Sequence, residues 1–322
     1  MLLQGNQSSP NATGSDPAVF FLTAVPGLEA LHLWISIPFC SVFTVALLGN
    51  CTLLYVIKTE PSLHKHMLYF LTILPVISLV LSTTTMTKIL SIFWFNSREI
   101  SFNACLVQMF FLHSSSIMQS ALLLAMAFDR YVAICNPLRY AAILTNSVIA
   151  KIRLAALTRA VLLMVPLPFL LRRLPYCQSH VISHCCCQHM AVVKLACADT
   201  SFNNVYGIIV TLFIMGLDLM IISLSYVKIL RAALRLTSKE EQLKALSTCG
   251  SHLCAILVVY TPVVISSTIR RFGCHVTPHV HILLASFYLL FSPMMNPIVY
   301  SVKTKQIHDQ VLLLFPRKRL LG

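Results

Sequence analysis

Side chains able to do chemistry are scarce in this chain, and they interrupt long apolar stretches. Asp129 and Arg130 stand side by side where one such stretch ends, Arg159 and Asp218 each lie within another, and His113, Ser114, Ser115, Ser116 and Gln119 form a polar run in a third. Charge in or beside hydrocarbon is costly unless it is paired or used. Asp129 beside Arg130 suits an ionic latch; the plainer reading is an arginine reaching out to lipid headgroups. Arg159 and Asp218 are expected to face inward and meet polar partners, as a fixed hydrogen-bond network rather than a ligand contact. At 100° per residue, Leu112, Ser116, Gln119 and Met126 share the face of Arg130, with His113 at its edge. Tyr260, Val264, Ser267 and Arg271 recur at helical spacing and form a second inward stripe. Lys88 either reaches outward to the headgroups, the favoured reading, or points into the same space. This is binding chemistry rather than bond-making. No phosphate loop, His-Glu-x-x-His or nucleophile elbow occurs, so no enzyme and no cofactor are expected.

The elements that must position these residues are membrane helices. The 322-residue chain is 57% hydrophobic and 11% charged, with a mean hydropathy of +0.80. Soluble domains run at about 45–50% apolar and about 25% charged. Spans of roughly 20 apolar residues cross a bilayer. Apolar runs over 31–57, 67–92, 102–135, 149–171, 203–234, 242–270 and 279–302 predict an all-α membrane protein, a seven-transmembrane-helix bundle. Prolines 38, 75, 166, 168, 262 and 297 fall inside these runs; neighbouring helices in a bundle can satisfy the carbonyls they free. Residues 1–30 read as an outer tail, 31–302 as the bundle and 303–322 as an inner tail. After Tyr300, Ile307, Val311, Leu312 and Phe315 oppose Lys305 and His308, the pattern of a short amphipathic C-terminal helix on the membrane surface.

Charge sets the orientation. Residues 1–30 contain no Lys or Arg, whereas the segments after the first, third and fifth spans and the tail carry Lys58, Lys65, Arg139, Lys151, Arg231, Lys239, Lys303 and Arg317 among others. The positive-inside rule puts the N-terminus outside. The +14 net charge thus reflects topology, and no nucleic-acid partner is expected. Asn6-Gln7-Ser8 and Asn11-Ala12-Thr13 are glycosylation sequons in that outer tail. No cleavable signal peptide is expected, because the first residues lack a basic region and a continuous apolar core.

The outer side is also where cysteines can pair. Cys105 precedes Arg130 by about 37 Å of helix, more than the roughly 30 Å hydrocarbon core, so it lies outside if Arg130 lies inside. The loop over 172–202 offers Cys177, Cys185, Cys186, Cys187 and Cys197, and spacing alone does not choose among them. His184-Cys185-Cys186-Cys187-Gln188-His189 could hold zinc or copper(I), but adjacent residues chelate one ion poorly, and no metal is expected. Cys40, Cys51, Cys135, Cys249 and Cys254 read as small packing residues.

Several blocks together resemble odorant receptors, a branch of the rhodopsin-like G-protein-coupled receptors. They are VPGLEALHLWISIPFC (25–40) with Gly49-Asn50, HMLYFL (66–71), FDRYVAICNPLRY (128–140), Ser225-Tyr226, KALSTCGSH (244–252), RRFG (270–273) and PMMNPIVYSVKTKQI (293–307). The first block, RRFG and KLACADT (194–200) are similar to the class I, fish-like subgroup. The resemblance implies disulfides Cys105–Cys187 and Cys177–Cys197. It implies a coupling face built on Asp129, Arg130, Tyr131, Tyr226, Asn296, Pro297 and Tyr300, with Arg130 released from Asp129 toward Tyr226 and Tyr300 as the sixth helix swings. It implies a small-molecule odorant, of the water-soluble kind such as a short carboxylic acid, and the inward faces read above would hold it in the outer half of the bundle against Leu112, His113, Ser116, Tyr260, Val264, Ser267 and Arg271. The implied partners are that odorant, a heterotrimeric G protein of the stimulatory olfactory type, and the lipid bilayer. The implied setting is the plasma membrane of olfactory cilia.

The chain departs from the family pattern in its second helix. Ser78 occupies the position that is usually Asp, Pro75 replaces an Ala, and Lys65-His66 replaces Glu-Pro; without the carboxylate, sodium binding is not expected. A receptor for a small metabolite and a seven-span transporter are the competing readings. KALSTCGSH and the three-cysteine loop disfavour the first; the lack of inverted repeats or broken helices disfavours the second.

Overall fold

The computed structural model describes residues 19–23, 31–59, 70–177, 180–182, 184–236, 238–272, 289–300 and 308–310; at 244, 248, 251 and 262–272 the description is confined to the backbone. Six helices among them are long and apolar enough to cross a membrane. They are α1 (His32–Thr59), α2 (Ile73–Phe95), α3 (Phe102–Cys135), α4 (Asn146–Arg172), α5 (Ser201–Ala233) and α6 (Lys239–Phe272). Residues 289–300, here α7, supply the described part of the seventh span. At the far end, residues 308–310 are helical, while Lys305, Ile307, Val311, Leu312 and Phe315 of the expected surface helix lie outside the described residues. So do Asn6 and Asn11.

Local signals explain the helix ends. Ser101 caps α3 by accepting from the Ala104 N–H, and Thr145 caps α4 at Val148, as side-chain oxygens do for orphan first-turn amides. Asn96, at φ 52°, closes α2 and returns its N–H to the Ile92 carbonyl, a left-handed cap that Asn tolerates. Inside the spans, Pro166 interrupts α4 after Val165. Helix α5 contains a π-helical turn over Leu212–Gly216 where an unbroken helix was expected; such bulges re-aim the side chains on either side of them.

Helix α3 runs through the middle of the bundle and touches α2, α4, α5 and α6. Its inner flank packs in a core that includes Leu53, Leu74, Leu122, Met126, Ile256 and Tyr300. Against α7, α1 comes so close at Gly49 that an added Cβ would lie 2.9 Å from Pro297 Cγ. Beside that contact, Asn50 donates to the Ala46 and Pro293 carbonyls.

One end of the bundle is covered by a small sheet. Strand β1 (Val19–Leu22) lies between β2 (Glu99–Ser101), antiparallel to it, and β3 (Val181–Ile182), parallel to it. Phe20 is fully buried there, against Phe102 and Tyr176. Lys88 belongs to this cap. Its Nζ donates to the Ser97 and Glu99 carbonyls at 2.9 and 2.6 Å, so it ties α2 to the segment that follows it, where a reach toward lipid headgroups was expected.

Candidate functional site

The polar run of α3 meets the outer loop and α7. Leu112 is buried in a cluster with Leu81, Leu289 and Cys186. His113 and Ser116 are half-buried on the same stretch, and Ser116 returns its hydroxyl to the Leu112 carbonyl. The loop is held over them by two disulfides, Cys105–Cys187 and Cys177–Cys197, with Cα separations of 5.5 and 5.8 Å. Gln108 reinforces the first, accepting from the Cys187 N–H and donating to the Thr84 carbonyl. Burial pushes the Cys186 thiol up to about 12, so it remains a protonated packing group. Burial also lowers His189 to about 4. Among the described residues no three His, Cys, Asp or Glu side chains converge as a metal site needs.

Below this level four helices share one polar network. Arg159 of α4 grips Asp218 of α5 with both Nη atoms, at 2.9 and 3.0 Å. Ser120 of α3 donates to the same carboxylate, and the hydroxyls of Ser120 and Tyr260 of α6 lie 2.7 Å apart. The two charges therefore pair with each other within a fixed network of polar partners. The π-turn contributes by setting the Phe213 ring over the Arg159 guanidinium at 5.3 Å. Tyr260 is buried and lies at the floor of the expected ligand stripe. The backbone of α6 is helical through 264, 267 and 271, and the side chains of Val264, Ser267 and Arg271 lie outside the description. A second network joins three helices: Gln119 donates to Ser292, and Asn296 donates to Ser78 at 3.1 Å.

At the opposite end, Arg130 Nη2 lies 3.1 Å from Asp129 Oδ2. Tyr140, just past the Pro137–Arg139 turn, donates to the other oxygen at 2.8 Å. Burial, followed by the Asp129 charge, raises the Tyr140 phenol above its ordinary range, which keeps it a donor. Tyr226 is engaged elsewhere, hydrogen-bonded and stacked on His252, and Tyr300 points at Met126 Sδ. Lys228 lies over the Tyr131 ring. Pro297 takes part in the close α1–α7 contact described above.

A model of the olfactory receptor family matches residues 39–318. The chain belongs to the olfactory receptor family. Olfactory receptor 52K1 of Homo sapiens is 63% identical to it, over 96% of this chain and 99% of that protein. Olfactory receptor 52K2 of Homo sapiens is 61% identical, over 97% and 99%. Olfactory receptor 51E2 of Rattus norvegicus is 52% identical, over 92% and 93%. The class I resemblance agrees with these names, and the chain is a multi-pass membrane receptor of the G-protein-coupled kind. In this olfactory receptor, Ser120, Tyr140, His252 and Ser292 carry site contacts that the sequence did not single out. Tyr140 had one available signal, the Pro137 turn that folds the chain back toward Asp129. The others meet partners on distant helices.

Proposed function

We propose that this olfactory receptor recognises a short carboxylic acid in the outer half of its bundle and activates a stimulatory olfactory-type G protein that raises cAMP. The supporting observation is the direction of Tyr260. Its hydroxyl meets Ser120 inside the bundle, so on an unbroken α6 positions 264, 267 and 271 stack above it at helical spacing, with Arg271 about 16 Å further along the axis. No Asp or Glu lies within twenty residues of Arg271 in sequence. A guanidinium can hold a carboxylate through two parallel hydrogen bonds. Ser267 and His113 add donors, Leu112 and Val264 suit a short alkyl chain, and Ser116 and Tyr260 close the floor.

The coupling half of the proposal places the N-terminus outside, Asn6 and Asn11 glycosylated, and the receptor in the plasma membrane of olfactory cilia. The Asp129–Arg130 pair, held by Tyr140, is the resting latch. When α6 swings, Arg130 turns toward Tyr226 and Tyr300, while Asn296 and Pro297 let α7 adjust. Charge-assisted hydrogen bonds are worth roughly 1.5–3 kcal/mol. Arg271→Gln should therefore weaken acid agonists at least about tenfold in a cAMP assay and barely change a matched alcohol or ester. Unchanged potency for acids in a variant that reaches the surface overturns the proposal.

A further inference from the structure

A groove of about 600 Å³ runs down the outer face of the receptor between α4 and α5. Its wall on α4 is one helical stripe, in which Lys151, Leu154, Thr158 and Leu162 recur at i, i+3, i+7 and i+11 and are all exposed. Phe213 forms the facing wall, and its ring covers the Arg159 guanidinium. The groove is apolar along its length and cationic at one end. Among the described residues Lys151 has neither ion pair nor hydrogen bond, and it sits near the start of α4, at the end of the bundle that holds Arg130. From Lys151 to Leu163 the axial distance is about 18 Å, close to half of the roughly 30 Å hydrocarbon core.

We propose that this groove is a binding site for an anionic phospholipid. Its phosphate pairs with Lys151, and one acyl chain lies along the α4 stripe to the level of Phe213. Length and charge together select this occupant. A single chain spans one leaflet, as the groove does, and a lysine whose stem lies on apolar surface presents its ammonium at headgroup level. An anionic headgroup gains there what a zwitterionic one does not. The site also has a function. The chain lies against Arg159, whose side chain is 21% exposed and whose Nε has no hydrogen-bond partner among the described residues. Lipid composition thereby acts on the network of Ser120, Asp218 and Tyr260.

The test uses full-length receptor carrying Leu162→Trp as a reporter at the deep end of the groove, in phosphatidylcholine nanodiscs. A minor fraction of lipid is replaced by phosphatidylserine or phosphatidylcholine with brominated chains, which quench a nearby indole. The parent protein, with Trp34 and Trp94, supplies the background. Half-quenching should need about fivefold less brominated phosphatidylserine than brominated phosphatidylcholine, as one favourable lysine contact implies. Lys151→Gln should abolish the difference, Lys151→Arg should keep it, and inorganic phosphate should not relieve the quenching. Equal quenching by the two lipids, or a preference that survives Lys151→Gln, overturns the proposal. Stronger quenching by a brominated sterol makes the occupant a sterol and overturns it too, and relief by inorganic phosphate shows a site for the free ion.

Discussion

Among its described residues the receptor holds two aspartate–arginine pairs, built in opposite ways. Asp218 and Arg159 come from different helices, meet through two hydrogen bonds, and recruit Ser120 and Tyr260 from two more. Asp129 and Arg130 are neighbours on one helix, with Arg130 Nη2 against one carboxylate oxygen and Tyr140 donating to the other. Undoing the first pair means pulling α4 from α5; undoing the second needs only a side chain to turn. A buried charge left without any partner costs about 3–5 kcal/mol; Asp129 is fully buried too, but it keeps the Tyr140 hydrogen bond when Arg130 turns away, so the first pair suits a clamp and the second a switch.

Five measurements break or sharpen this contrast. Asp218→Asn should do the most damage, leaving Arg159 unneutralised at a cost of about 3–5 kcal/mol and abolishing surface expression. Replacing both partners with Leu should restore most of it, since an apolar pair removes the unpaired charge; if the double variant is as poor as the single one, the pair is more than a clamp. Arg130→Ala should reach the surface normally and give no ligand-driven cAMP, and full signalling by that variant removes the switch. His189 supplies a buried group outside both pairs. Its native value of about 4 lies below the ordinary 6.5, so the unfolded chain takes up the proton first. Stability should fall as pH drops from 6.5 toward 4, by up to about 1.4 kcal/mol per pH unit, and thermal unfolding of His189→Gln should lack that slope. Tyr140→Phe deletes the hydrogen bond to the Asp129 carboxylate, worth roughly 1.5–3 kcal/mol, and should raise basal cAMP at least severalfold at unchanged expression; unchanged basal activity means Tyr140 does not hold the latch. The smallest effect is expected from sodium. With Ser78 hydrogen-bonded to Asn296 and supplying no carboxylate, agonist potency should stay constant when sodium replaces another monovalent cation at fixed ionic strength.

The contrast itself was half legible in the sequence. Asp129-Arg130 is local, and its place at a helix end can be read from neighbouring residues; the expected span 102–135 coincides with α3 because Ser101 caps it and Pro137 follows its end. Arg159 and Asp218 were legible as charges in need of partners, but 59 positions separate them and no local pattern joins them. Just before Asp218 stands the π-turn at Leu212–Gly216, an extra residue in the turn that hydrophobic periodicity does not register. The same holds for His252 against Tyr226 and Ser292 against Gln119, where two helices must be placed before either contact exists. The partners of Lys88 are backbone carbonyls, which carry no residue signature. The cysteine pairing followed from family resemblance, since spacing left several partners open.

The covering sheet carries a consequence for how the receptor is made. Strand β1 is its central strand, yet Phe21 pairs with Val181, a residue synthesised 160 positions later. At about 5–20 residues per second, β1 waits on the order of ten seconds after emerging before its second neighbour exists. During that interval Phe20, Phe21 and Leu22 form an unpaired apolar edge, the kind of segment that captures other chains. The earliest described residues to be translated are thus sheltered only after more than half of the chain has been made, and quality control during biosynthesis meets this receptor with its cap still open.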